Sequence, residues 1–412
     1  MKLNSVEVVC KKTEISPENV QTLVIPFINE HFNVNSLSDY DHKYLKLESA
    51  HGAIADHAEA LLVSCKVDEF PINTNNTTFF VYKLNRPDPE LEMIENGSDE
   101  ETAAANHWIL PSREFHDSWN NLYFEQGLKE NLLQFVETSM LFSKSGINPN
   151  VISCNRLILL HGPAGTGKTS LCKAIAQKIS IRMKSTFKCT HLIEINSHSL
   201  FSKWFSESGK LVMKLFEKIR DVVENPTHLV CVLIDEVESI AFARSSSSNE
   251  PTDSIRVVNA VLTQLDQIRK HPNVLVLTTS NLTSSIDSAF LDRADIKQYV
   301  GFPDVTGLAQ IYTLMLRELI DVGLVVDGDN EFLLLKKSVD GELYQQFRVL
   351  LEMSKGLSGR TLKKIPFLAY ASLVQLVDRP GLRGCLKAMQ NAVGKHMSDT
   401  KGVNGQCKLN VE

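Results

Sequence analysis

Gly162-Pro163-Ala164-Gly165-Thr166-Gly167-Lys168-Thr169 fits G-x-x-x-x-G-K-[ST], the spacing of a phosphate cradle. The glycines let backbone N–H groups from Gly165 to Thr169 turn inward around a β-phosphate, and a helix opening at Ser170 adds the positive end of its dipole. Lys168 is placed to bridge β- and γ-phosphates, and Thr169 to offer its hydroxyl oxygen to Mg²⁺. The motif follows an apolar run, Arg156 to Leu160, and opens a helical pattern, Ser170 to Ile179. That strand–loop–helix context separates a phosphate loop from a structural glycine turn.

Two acids close another apolar run, Leu229 to Ile234. Asp235 is expected to hold Mg²⁺ through water. Glu236, one residue on and on the opposite side of an extended chain, would polarise a water for attack on the γ-phosphate. A strand end capped by two solvated acids is the plainer alternative, and the upstream phosphate loop argues against it. A third run, Val274 to Thr279, ends in Ser280-Asn281. Asn281 would hold the attacking water and report on the γ-phosphate, unless it is simply a turn asparagine.

These groups need a scaffold that delivers them to one edge. Strands are predicted at Arg156 to Leu160, Leu192 to Ile195, Leu229 to Ile234, Val274 to Thr279 and Lys297 to Val300, alternating with amphipathic helices. Such β/α alternation gives a parallel sheet flanked by helices, with ligands at the carboxyl ends of its strands. From residue 303 to 412 helical patterns dominate (Leu308 to Asp321, Leu343 to Met353, Leu362 to Val377, Leu382 to His396), which predicts a small helical lid. Residues 1–86 mix strand-like runs (Val6 to Val9, Ala60 to Val67, Thr78 to Lys83) with one helical pattern, Pro17 to His31. That reads as a small α+β domain. Between them, Asp88 to Glu101 carries seven acidic residues and no basic one; residues 87–106 read as a flexible acidic linker, the alternative being an acidic surface loop. The sheet domain then spans 107–302.

Composition narrows the function. The 412 residues carry 43% hydrophobic and 22% charged residues, which is globular, and a net charge of -6, which supplies no global field toward nucleic acid or anionic membrane. Eight scattered cysteines without a C-x-x-C pair fit reduced thiols. No run is long enough to span a bilayer, and the first residues lack the apolar core of a secretory signal, so a soluble intracellular protein is expected.

The order P-loop, Asp-Glu strand, strand-terminal Asn and helical lid resembles the AAA+ ATPases. Within them, His107-Trp108-Ile109-Leu110-Pro111, the run from Ile195 to Lys210, Asp292 to Tyr299 and Gly356-Leu357-Ser358-Gly359-Arg360 are similar to the pachytene-checkpoint (thyroid-receptor-interacting) ATPases. Ala164 departs from the second proline that many relatives carry there. The resemblance implies an ATP- and Mg²⁺-dependent homohexameric ring that partly unfolds HORMA-domain proteins, converting their closed state to an open one. A HORMA-domain adaptor would dock on the N-terminal domain. It also implies action on meiotic chromosome axes and in the spindle checkpoint, hence a place in the nucleus, on chromosomes and kinetochores, and also in the cytoplasm.

By the same resemblance Arg293 is a finger reaching the neighbouring subunit's γ-phosphate, and Arg360 a lid arginine sensing the phosphate in its own chain. A salt bridge to Asp292 or Asp295 is the alternative for Arg293. Lys203-Trp204-Phe205 suits a pore loop whose aromatics grip a polypeptide by contact area, or else a helix-packing pair. Residues 245–252 suit a second pore loop or a connection.

Among rivals, microtubule-severing and membrane-complex disassembling AAA proteins share the catalytic groups but usually carry helical N-terminal modules. An ATP-dependent scaffold has no use for Glu236. A DNA translocase would need a basic, aromatic-interleaved patch, and a P-loop kinase has no reason for Trp204 and Phe205 in a loop.

Overall fold

The computed structural model describes residues 4–11, 15–16, 19–31, 42–65, 70–86, 88–95, 101–148, 151–196, 208–238, 251–281, 288–328, 332, 341–373 and 379–409. They form two compact units. The first comprises residues 1–120, 130–160 and 169–298, the second 121–129, 161–168 and 299–412.

In the first unit, β1 (Asn4–Cys10), β2 (His42–Lys46), β3 (Ala58–Ser64) and β4 (Thr77–Lys83) make a four-stranded sheet in the order β2-β3-β1-β4. β1 runs antiparallel to β3 and parallel to β4. Strand alternation divides β1 between two cores. Val6, Val8 and Cys10 pack with Val24 and Ile28 of the helical segment that ends at His31, and Val9 joins Ala60, Tyr82 and Leu84 against Ile181. The α+β reading of residues 1–86 thus describes the local architecture. β2, His-Lys-Tyr-Leu-Lys, carries too few apolar residues to show as a strand in the sequence.

The large sheet has the order β11-β7-β10-β9-β8-β6-β5. Its strands are β5 (Glu90–Glu95), β6 (Glu101–Leu110), β7 (Leu157–His161), β8 (Cys189–Ile195), β9 (His228–Ile234), β10 (Val274–Ser280) and β11 (Ile296–Tyr299). β8, β9 and β10 are parallel neighbours, so β9 and β10 end side by side. Val230, Val232, Ile234, Val274 and Val276 pack on Leu215, Phe216 and Ile219 of α5 and Leu262, Leu265 and Ile268 of α6, α5 being Ser208–Val223 and α6 Pro251–Ile268. Each such fully buried aliphatic side chain contributes about 1.5–3 kcal/mol. The helix after the P-loop, α4 (Lys168–Arg182), has Leu171, Cys172, Ala174, Ile175, Ala176 and Ile179 all at 0% exposure. Gln177 and Lys178, 4% and 3% exposed, are buried with them, so the helix is internal although it is not apolar on every side.

The acidic stretch is not a free linker. β5 pairs antiparallel with β6, matching Glu90 with His107 and Ile94 with Thr102, and extends the large sheet at its edge. Ile94 is buried with Ala104 and Ala105, whereas Glu92 contacts His107 and Lys218. A run of carboxylates is compatible with an edge strand because the outer row stays solvated and resists further pairing.

The second unit contains α8 (Val305–Asp321), α9 (Glu342–Met353), α10 (Gly359–Leu362), α11 (Ile365–Leu373) and α12 (Leu382–Leu409). They enclose Leu308, Tyr312, Leu316, Phe347, Leu350, Leu386 and Met389. Asp304 caps α8 by accepting from the Gly307 amide at 2.7 Å. No helix among the described residues is long and apolar enough to cross a membrane.

Candidate active site

The P-loop itself, residues 161–168, belongs to the second unit. Gly162 (φ 143°), Gly165 (φ 77°) and Gly167 (φ 97°) all occupy backbone regions open to glycine. At Gly162 the need is doubled, since a Cβ there would sit 2.3 Å from the Val300 carbonyl oxygen. A Cβ on Gly165 would meet Ser358 Oγ at 2.9 Å, and the Gly165 carbonyl accepts from the Arg360 amide at 3.1 Å. Arg360 therefore starts from the P-loop backbone, with an exposed side chain. Lys168 Nζ donates to the carbonyls of Gly162 (2.9 Å) and Pro163 (2.7 Å), and Thr166 Oγ1 to Pro163 (3.0 Å). The ammonium thus lies across the loop, held by two of its carbonyls. Burial, and secondarily the Lys168 charge, hold the His161 imidazole below its usual range. Leu122 and Phe124 flank the loop, the Phe124 ring edge 3.4 Å from where a Gly167 Cβ would be. Sequence reasoning missed both, having no motif to mark them.

Thr169, Asp235, Glu236 and Asn281 belong to the first unit. Thr169 Oγ1 donates to Asp235 Oδ1 at 2.7 Å, and Thr279 Oγ1 donates to the same oxygen. With its proton committed to Asp235, the Thr169 oxygen keeps lone pairs for a hard cation. Ser170 is exposed in the first turn of α4, and Ala164 is exposed in the P-loop.

Glu236 leaves the strand in a left-handed conformation, φ 54°, rare and costly for a side-chain-bearing residue. This turn, and not the alternation of an extended chain, parts it from Asp235. Its amide donates to Thr279 Oγ1 at 3.1 Å, and its carboxylate accepts from Asn281 Nδ2 at 3.1 Å. The Asn281 amide N–H in turn donates to Glu238 Oε1 at 2.8 Å. Asn281 thus meets Glu236 through its side chain and Glu238 through its backbone. Glu238 and Thr279 extend the site beyond the residues read from sequence; the acid two places after Glu236 was the available signal.

Two models of known families match the chain: the ATPase family associated with various cellular activities (AAA) over residues 158–302, and the TRIP13-like AAA+ ATPase lid C-terminal domain over residues 307–397. The Homo sapiens pachytene checkpoint protein 2 homolog is 43% identical over 396 residues, covering 93% of this chain and 90% of that protein. The Danio rerio homolog is 44% identical over 393 residues, covering 92% and 90%. The chain belongs to the pachytene checkpoint protein 2 family of AAA ATPases. The solved structure of C. elegans PCH-2 aligns over 97% of this chain and 100% of that one, with TM-score 0.76 and 32% identity.

Two expectations drawn from that family meet the structure differently. Lys203, Trp204 and Phe205, like residues 245–250, lie outside the described residues. Arg293 is described, and its partner is neither Asp292 nor Asp295. Asp295 instead accepts from the amides of Asn155 and Leu157, tying the start of β7. Arg293 Nε and Nη2 bind the two oxygens of Asp266 at 2.9 and 2.8 Å, and Nη1 donates to the Ala289 carbonyl at 2.6 Å.

Proposed function

We propose that this ATPase works as a homohexameric ring that partly unfolds HORMA-domain proteins through a central pore, converting closed to open states, with a HORMA-domain adaptor engaging its N-terminal domain. The observation that carries hydrolysis is the Asn281–Glu236 contact, which aims a carboxylate held by a strained backbone. Glu236 takes the proton of the attacking water, and Asn281 fixes its orientation. Lys168 exchanges loop carbonyls for phosphate oxygens, Arg360 reaches the γ-phosphate within its own chain, and Arg293 reaches that of a neighbour. Thr169 and, through water, Asp235 would hold Mg²⁺, which screens the phosphate charge.

HORMA specificity is supported by family membership and the TRIP13-like lid. A Trip13 from E. coli MS115-1, solved in a HORMA:CdnC:Trip13 complex, shares the fold, with TM-score 0.52 and 16% identity over 70% of this chain and 94% of that one. Meiotic chromosome-axis and spindle-checkpoint roles, with residence in nucleus and cytoplasm, extend the same reading.

The decisive experiment pairs ATP turnover with opening of a closed HORMA protein on one preparation. The parent should open substrate in proportion to ATP hydrolysed. Trp204→Ala and Phe205→Ala should each lower the substrate opened per ATP at least tenfold. Unchanged coupling in both would return these aromatics to a packing role and remove the threading mechanism.

A further inference from the structure

Arg293 is fully engaged within its own chain. Its Nε and Nη2 make a fork-to-fork contact with Asp266, its Nη1 is bound to the Ala289 carbonyl, and its side chain is 25% exposed. A guanidinium so held is not extended toward another subunit. Asp266 is an unexpected residue at its position: it lies in the last turn of α6, where the negative end of the helix dipole disfavours a carboxylate. Two cations compensate it, Arg293 across the contact and Arg269 at 3.0 Å, one turn along. Among the described side chains of α6, Val261, Leu262, Leu265 and Ile268 do the packing, and Asp266 does not. The Arg293 hydrogen bonds, with help from Arg269 and Lys270, hold the Asp266 carboxyl below its usual range, so it stays ionised at neutral pH.

We propose that Asp266 is a positioning residue that stows Arg293, so that the finger engages a neighbouring subunit's γ-phosphate only by leaving Asp266. The inference rests on the reading of Arg293 as a trans finger. The exchange is chemically matched, because a planar guanidinium binds carboxylate and phosphate through the same two-pronged geometry. It is also accessible, because both side chains are partly exposed, 25% and 34%, so water can replace either partner as the pair opens. A terminal phosphate carries more charge than one carboxylate and draws the arginine across, whereas with no triphosphate opposite, Asp266 keeps the finger off the neighbour. Asp266 thereby makes hydrolysis conditional on a loaded interface.

The test measures steady-state ATP turnover of the full chain at saturating ATP and at assembling protein concentration, for Asp266→Ala and Asp266→Asn, each alone and with Arg293→Ala. Asp266→Ala should raise kcat about three- to tenfold with KM for ATP unchanged. Asp266→Asn, which keeps the shape and loses the charge, should lie between it and the parent, and serves if the alanine variant does not fold. With Arg293→Ala present, neither change at Asp266 should alter the residual rate. A kcat at or below the parent in a folded, assembled Asp266 variant would overturn the proposal, because Asp266 would then be presenting the finger and not restraining it. An increase that persists without Arg293 would also overturn it. Parental turnover by Arg293→Ala alone is a separate outcome, which removes the finger reading itself.

Discussion

Glu7 of β1 and Lys178 of α4 meet at 2.6 Å with each side chain only 4% exposed, joining the first strand of the chain to the helix that leaves the P-loop. The Trp119 ring lies 5.5 Å from the ammonium, and Arg182 and Lys184, further along the same segment, reach the Phe80 ring and the Val81 carbonyl of β4. Removing one partner of a buried pair strands the other charge, at a cost of about 3–5 kcal/mol, while replacing both with apolar groups is often near neutral. Lys178→Met should therefore destabilise the first unit strongly in urea unfolding, and Glu7→Leu with Lys178→Met should recover most of the loss. Additive losses in the double variant would show that the two residues act separately.

Glu236→Gln should bind ATP as the parent does and hydrolyse it at least a hundredfold more slowly, because the amide keeps the Asn281 contact as an acceptor while losing the base. Lys168→Ala should lose nucleotide affinity instead, as the phosphates lose their counter-charge. Fluorescent-nucleotide titration beside turnover separates the two. Equal affinity losses in both variants would refute this division of roles.

Mixing Arg293→Ala with Glu236→Gln subunits should restore turnover at interfaces where an intact base faces an intact finger, each variant alone being nearly inactive. Arg360 begins its helix hydrogen-bonded to the P-loop of its own chain. Arg360→Ala mixed with Glu236→Gln should show no such recovery, since every site then lacks one cis group. Equal recovery in both mixtures would dismiss the cis assignment of Arg360.

Much of this site was legible because its chemistry is local. The P-loop spacing fixes backbone positions that only glycine tolerates, and apolar runs ending in Asp235-Glu236 and in Asn281 identify parallel strands whose ends must lie together. What the sequence hides is pairing between distant segments. Asp266 lies 27 residues from Arg293, and the acids at 292 and 295, nearest in the chain, are the wrong guess because Asp295 is committed to amides of β7. The left-handed turn at Glu236 leaves no mark in composition. The strand at Glu90–Glu95 was masked by its charge, which suits an edge as well as it suits a linker.

A chain of imidazoles crosses three adjacent strands of the first unit. Asn225 Nδ2 meets His228 Nε2 at 3.1 Å, His228 Nδ1 meets His191 Nε2 at 3.1 Å, His191 Nδ1 meets His107 Nε2 at 2.8 Å, and His107 Nδ1 meets Glu92 Oε1 at 2.9 Å. One tautomer set satisfies every link, each neutral ring accepting on one nitrogen and donating on the other toward Glu92. Lys218, 3.5 Å from Glu92, is the other charge at that end. Burial first, then the neighbouring His107 and His228, push His191 down to about 4. Protonating it would turn its Nε2 into a donor facing the His228 donor, so the chain would have to reverse or break. The unfolded chain takes this proton near pH 6.5, and the native state resists it until about pH 4. Stability from this group is therefore complete above pH 6.5 and falls as pH drops through that window, by about 1–2 kcal/mol between pH 6.5 and 5. Urea unfolding of the parent and of His191→Gln at pH 7.5, 6.5, 5.5 and 5.0 isolates the term from the carboxylates that titrate in both. The stability difference between the two should shrink as pH falls; parallel curves would mean that His191 takes no part in the pH response.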